Sequence, residues 1–187
     1  MDKIYLDDNI FYIKNFLSEK SHAALKEIST NVSQNNQWDF SNEISNRGRY
    51  KVDDPEYSFI WHEYDNNLNK IFDSSKHYIE KVHTIEKMIP STTIDYGLGP
   101  HSDDDGYKKF HKVQHGDPMI LFGTVYYINS DYLGGELEYV NFDIKIKPIE
   151  NTLVCHPGTE LYEHFVNNIS SGNRYSIPNF VMNKKYF

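Results

Sequence analysis

The chain has a single cysteine, Cys155. An intramolecular disulfide is therefore excluded, and a reducing compartment is the expected setting. No apolar run approaches the ~20 residues that cross a bilayer, and the start Met1-Asp2-Lys3-Ile4-Tyr5 lacks the apolar stretch of a signal peptide. The expectation is a soluble cytoplasmic protein with no membrane partner, in which the acceptor patterns Asn31-Val32-Ser33 and Asn168-Ile169-Ser170 are chance matches. Basic charge is also in short supply: 19 Lys and Arg against 27 Asp and Glu leave a formal net charge of −8. Phosphate backbones repel such a chain, which argues against a nucleic-acid partner. Internal repeats and low-complexity tracts are absent as well.

What is present is ordinary for a globular protein, with one bias. Hydrophobic residues make up 39% and charged residues 25%, but aromatics reach 15%, tyrosine foremost. Rings in that number are core or pocket wall, because each buries a large area at low entropic cost. A length of 187 residues fits one domain. Its character divides near Pro90, with residues 1–90 as helical and strand support and 91–187 as a β core.

Residues 10–13 read as a short strand. Ser18 predicts the N-cap of a helix to about residue 32, with Ala24, Leu25, Ile28 and Val32 on one face. Residues 35–55 are polar and read as loop, with a strand near Trp38. Ile60, Tyr64, Leu68, Ile71, Ser75, Tyr78 and Val82 recur every three or four residues and predict a long helix over 57–83. Beyond Pro90 the segments 92–96, 119–129, 136–140, 144–146, 152–156, 162–166 and 175–182 are short, strand-like and separated by Gly, Pro and Asn turns. Many short strands of this kind build a sandwich or closed barrel. The helices, coming first, pack as an outer layer on one sheet.

The chemistry concentrates in Tyr96-Gly97-Leu98-Gly99-Pro100-His101-Ser102-Asp103. On an extended strand, side chains two apart share a face, so His101 and Asp103 can reach one metal ion. With a distant third histidine they make a two-histidine, one-carboxylate triad whose open positions suit iron(II) and oxygen, although manganese or cobalt fits the same donors. Asp104 and Asp105 offer alternative carboxylates if the register slips; alternation favours Asp103. His164 and His156 both qualify as the third ligand. Ten residues after His164 stands Arg174, whereas ten after His156 stands Val166. A buried guanidinium next to a metal is costly unless an anion pairs with it, and a dicarboxylate that chelates the metal at one end supplies that anion at the other. Residues 104–117, with several lysines plus His111 and His115, read as a mobile loop beside the site; no carboxylate or cysteine completes a zinc site there.

Further pieces follow in order: Val125-Tyr126-Tyr127-Ile128-Asn129, Gly134-Gly135-Glu136-Leu137, Pro148, and Leu153-Val154-Cys155-His156-Pro157-Gly158 before His164 and Arg174. This ordered set, spanning residues 92–181, resembles the prolyl 4-hydroxylase-type branch of the iron(II)- and 2-oxoglutarate-dependent dioxygenases. The resemblance implies an α+β, mainly β fold: a double-stranded β-helix (jelly-roll) core with N-terminal helices packed on one sheet. It also implies His101, Asp103 and His164 as iron ligands and Arg174 for the distal carboxylate of 2-oxoglutarate. Tyr96, Tyr127 and Ser176 are placed beside that co-substrate, with core packing as the alternative for the tyrosines and an ordinary strand position for the serine. Asn151 stands where the family commonly has glycine, a substitution that asparagine's access to left-handed backbone permits.

The implied activity consumes 2-oxoglutarate and O2, with ascorbate as a reductant, and releases succinate and CO2 while hydroxylating an unactivated C–H bond. The first expected substrate is a prolyl residue of a peptide or protein. The same chemistry on another side chain, a free amino acid or a small metabolite is the alternative, because fold and cofactor do not determine substrate. A third reading is a catalytically silent β-barrel binding module.

Overall fold

Ser18 caps the first helix as its sequence suggests: its hydroxyl accepts from the Ser21 amide and donates to Glu63 on the next helix. The computed structural model describes residues 1–40, 47–90, 99–111 and 117–187. Its strands are β1 (Ile4–Tyr5), β2 (Phe11–Lys14), β3 (Arg47–Lys51), β4 (His77–Ile79), β5 (Thr84–Met88), β6 (Ile120–Tyr127), β7 (Leu133–Gly134), β8 (Leu137–Tyr139), β9 (Lys145–Ile146), β10 (Thr152–Pro157), β11 (His164–Val166), β12 (Ile169–Ser171) and β13 (Arg174–Asn183). The helices are α1 (Glu19–Gln34), α2 (Ser58–Ile71) and α3 (Asp103–His111). Among the described residues no helix is long and apolar enough to cross a membrane.

Eight strands form one antiparallel sheet in the order β1-β2-β10-β6-β13-β5-β3, with β4 added along the distal half of β13. A smaller sheet, β11-β8-β9, and the β12-β7 pair lie over one face of it. The alternation of strand side chains divides the interior in two. Tyr126, Leu153, Cys155, Ile177 and Val181 turn to one face, where Leu25, Ile28, Ile60, Tyr64 and Leu68 of α1 and α2 cover them. Tyr127, Val154 and Met88 turn to the other face and meet Leu137, Tyr139, Ile146 and Val166 of the small sheet. The result is a jelly-roll with helices on one sheet: the residue pattern predicts the helices on a β core, and the resemblance implies the jelly-roll.

Three sequence expectations change. The helix predicted over 57–83 stops at Ile71: Phe72 is already extended, and the Ser75 amide bonds the Asp73 carboxylate at 2.9 Å. Side chains of this kind offer the backbone a turn in place of another helical bond, and the unpaired edge of β13 then recruits His77–Ile79 as β4. The strand expected near Trp38 reduces to a single bridge, Asp39 to Arg49; the regular strand is β3. Residues 104–117, expected as a loop, begin as helix α3, while 112–116 lie outside the described residues, as does the strand expected over 92–96.

Asn151 takes the left-handed backbone at φ 54°. Its amide also holds the chain before α1, accepting from Leu17 N at 3.0 Å and donating to Leu17 O at 2.9 Å. Gly134 and Gly135 have φ 83° and 70°, and a Cβ on Gly134 would strike the Asn168 carbonyl. A side chain is excluded at that corner.

Candidate metal centre and anion pocket

His101 and His164 lie 63 positions apart in the sequence, but their backbones are direct neighbours. His101 N donates to His164 O and His164 N to His101 O, both at 3.0 Å, a hydrogen-bonded antiparallel pair. Each imidazole is then aimed from behind: His101 Nδ1 bonds Gly99 O at 2.8 Å, and His164 Nδ1 bonds Tyr162 O at 3.0 Å. With the proton held on Nδ1, the Nε2 lone pairs face inward, the orientation that metal-binding histidines require.

Asp103 arrives by another route. It is the first residue of α3, and its placement comes from the residues around it. Ser102 Oγ accepts from Asp105 N, and Asp104 N bonds Gly158 O at 2.9 Å. The buried Asp104 carboxylate accepts Met119 N at 2.6 Å and Ile120 N at 2.9 Å and pairs with Lys108 at 2.7 Å. Asp104 is therefore committed to structure, Asp105 faces solvent, and Asp103 alone turns inward. His101 Nε2 and His164 Nε2 each lie 3.9 Å from Asp103 Oδ1. The three donor atoms are all within 4.8 Å of one another.

The electrostatics suit a cation. Burial holds His101 and His164 below the usual imidazole range, so both are neutral donors near pH 7. Burial, reinforced by the charge of Asp104 and opposed by His101, pushes the Asp103 carboxyl up to about 6. A buried carboxylate between two imidazoles gains most from a bound positive charge.

The same cavity, about 480 Å³, contains Arg174. It stands at the start of β13, opposite Met88 on β5, and is 4% exposed. Its Nη1 meets Met88 Sδ at 3.1 Å, and its guanidinium lies 5.1 Å from the Tyr127 ring centre. A thioether is a weak acceptor. Nε has no hydrogen-bond partner among the described residues, nor do the buried hydroxyls of Tyr127 and Tyr132. A guanidinium this deep, with no carboxylate paired to it among the described residues, is chemically suited to pair with an anion.

No protein-family model matches the sequence, and no curated protein matches it. Solved structures do match. A prolyl hydroxylase from Trichoplax adhaerens, in complex with a hypoxia inducible factor oxygen degradation domain peptide fragment, superposes with a TM-score of 0.70 at 17% identity, covering 95% of this chain and 85% of that one. The viral collagen prolyl hydroxylase of Paramecium Bursaria Chlorella virus-1, as its 2OG complex, gives 0.67 at 15%, covering 94% and 96%. A 2OG-Fe(II) oxygenase family oxidoreductase from Burkholderia pseudomallei gives 0.64 at 13%, covering 93% and 84%. The chain has the prolyl-hydroxylase fold.

Within that fold the sequence-expected residues separate cleanly. His101, Asp103, His164, Arg174 and Ser176 line one cavity, whereas Tyr127 is buried beneath the Arg174 guanidinium and reaches the site only as the cross-strand neighbour of Ser176. Tyr96 lies outside the described residues. The expectation that strand alternation joins His101 to Asp103 is corrected: a bridge residue and a helix N-terminus bring them together. His156 does not complete the cluster, since it approaches the opposite oxygen of Asp103.

Sequence reasoning missed Arg47, Arg49 and Gly123. The two arginines project from β3 into the cavity and share Glu86 of β5, Arg49 at 3.0 Å and Arg47 at 3.8 Å. The alternating Arg47-Gly48-Arg49 was their signal, hidden in a segment polar enough to read as loop. Gly123 has no side chain to reveal it; a Cβ there would land on Asp103 Oδ2.

Proposed function

We propose that this chain is an iron(II)- and 2-oxoglutarate-dependent oxygenase that hydroxylates a C–H bond, with a prolyl residue of a peptide or protein as its substrate. One observation carries the reading: the inward-facing His101, Asp103 and His164 share a cavity with Arg174, a buried cation that no described carboxylate neutralises. A facial set of two imidazoles and one carboxylate leaves coordination positions open, as non-haem iron(II) oxygenases require. Bound there, iron(II) supplies oxygen activation coupled to decarboxylation of 2-oxoglutarate to succinate.

The remaining work is done by the chain. Arg174 receives the distal carboxylate of 2-oxoglutarate in a charge-assisted pair, and Tyr127 and Ser176 lie close enough to share it. The apolar walls, Leu137, Val166 and Val125 among them, keep bulk water from the reacting centre. The peptide substrate is supported by the prolyl hydroxylases that share the fold, one of them seen with a peptide.

The test begins with anaerobic titration of the purified protein by iron(II) and 2-oxoglutarate, following the metal-to-ligand charge-transfer band. A saturable band is expected, lost in His164→Ala and weakened in Arg174→Ala. Succinate release should then couple to addition of one oxygen on a proline-containing peptide. Turnover stimulated only by free amino acids or small metabolites removes the peptide reading; absence of any band in the folded protein removes the oxygenase.

A further inference from the structure

Asp103 has two oxygens, and the site treats them differently. Oδ1 faces the two ligand histidines, at 3.9 Å from each. Oδ2 sits in a slot whose floor is Gly123, where any Cβ would overlap it, and whose side wall is His156. His156 Nε2 is 3.9 Å from Oδ2. The ring is 1% exposed, and its neighbours on β10 and β6 lock it in place: His156 pairs directly with Gly123 across the ladder. Among the described residues no hydrogen bond reaches either Asp103 oxygen, and this imidazole is a polar group standing beside Oδ2.

The contacts behind the three rings also differ. Nδ1 of His101 and of His164 meets a carbonyl at 2.8 and 3.0 Å, whereas Nδ1 of His156 has only the carbonyl of its own neighbour, Pro157, at 3.3 Å. A proton on His156 thus chooses between a long contact to a neutral carbonyl and a carboxylate oxygen, and a hydrogen bond to an ionised acceptor is roughly twice as strong. Closing Nε2 to Oδ2 takes a movement of about 1 Å to reach hydrogen-bond length.

Resting on the metal-centre reading above, we infer that His156 is a positioning residue: its Nε2–H holds Asp103 Oδ2 against the Gly123 floor. Oδ1 alone then remains for the metal, and the carboxylate stays monodentate. The positions a chelating second carboxylate oxygen would occupy stay open for co-substrate. Outer partners of this kind typically change metal affinity by about ten- to a hundredfold.

Two measurements test this, neither of them turnover. In the metal-free protein, long-range proton–nitrogen NMR of the imidazoles should show His156 as the Nε2–H tautomer and His101 and His164 as Nδ1–H. An Nδ1–H tautomer at His156 overturns the inference, whatever the variants do. In calorimetric titration with cobalt(II), His156→Phe should bind between about tenfold and a hundredfold more weakly, while His156→Gln, which keeps a donor, stays within about threefold of the unmodified protein. Unchanged affinity in folded His156→Phe overturns the positioning role and leaves the metal centre standing. If both variants bind weakly, with the cobalt absorption of His164→Ala, His156 is itself a ligand and the inference falls. No cobalt binding by the unmodified protein removes the metal centre, and this role with it.

Discussion

The absence of one carbon atom at position 123 makes room for the Asp103 carboxylate. Gly123 lies in β6 with the Asp103 carboxylate directly over it, and a Cβ would also approach His156 Cε1 to 2.9 Å. Gly123→Ala should therefore fold, with an overpacking cost of about 1–3 kcal/mol, and lose cobalt(II) affinity by roughly tenfold or more as the carboxylate is displaced. Wild-type affinity in that variant would show that Asp103 is not seated on Gly123. A pH dependence also belongs to this scale. The metal needs an ionised Asp103 and neutral imidazoles. Burial lowers the pKa of His101 and of His164 and so favours their neutral forms, while Asp103 is pushed up to about 6. The sign follows: below about pH 6 each metal bound must expel the Asp103 proton, and above it none is released. Affinity should weaken by about tenfold per unit as pH falls below 6 and level off above 7. Calorimetry in two buffers of different ionisation enthalpy reads the proton count directly, and equal affinity at pH 5 and 7 would contradict the assignment.

At the scale of elements, the site hangs on where α3 starts. The buried carboxylate of Asp104 anchors that start to Met119 N and Ile120 N at the head of β6, so a helix N-terminus and a strand are tied at one point. Asp104→Ala leaves two amides and Lys108 without their acceptor, at about 1–3 kcal/mol for each unsatisfied group. A loss of roughly 3 kcal/mol is expected in urea unfolding, together with weakened metal binding. The exposed neighbour gives the contrast: Asp105→Ala should cost less than about 1 kcal/mol. This arrangement was not legible beforehand. Strand alternation favours Asp103 among the run Asp103-Asp104-Asp105 but assigns no duty to the other two, and what distinguishes the three is which faces inward, which accepts from the head of β6 and which meets water. The helix predicted over 57–83 failed for a related reason. Its apolar spacing continues past Ile71, but the Asp73 turn and the open edge of β13 together outcompete further helical bonds.

For the whole molecule, the proposed function makes metal and co-substrate linked stabilisers, because the candidate ligands and Arg174 line one cavity. Each ligand at about a hundred times its Kd adds about 2.7 kcal/mol, which raises the thermal midpoint of a chain this size by roughly 5–10 °C. Arg174→Ala should keep the cobalt increment and lose that of 2-oxoglutarate; retention of both would move the anion site elsewhere. Read alone, the sequence determined a mainly β fold with helices on one sheet, and the resemblance it carries added the jelly-roll, the pairing of His164 with Arg174 and the asparagine at a left-handed position 151. The first follows from local rules, the two-residue strand period and the three-to-four-residue helix spacing, and the others from the ordered set of motifs. Tertiary structure alone decided the pairing of His101 with His164, the separate duties of three consecutive aspartates, the floor at Gly123, the wall at His156 and the arginines of β3. Those depend on which strand edges meet across long stretches of chain, and burial and close approach leave no periodic mark on the residues they unite.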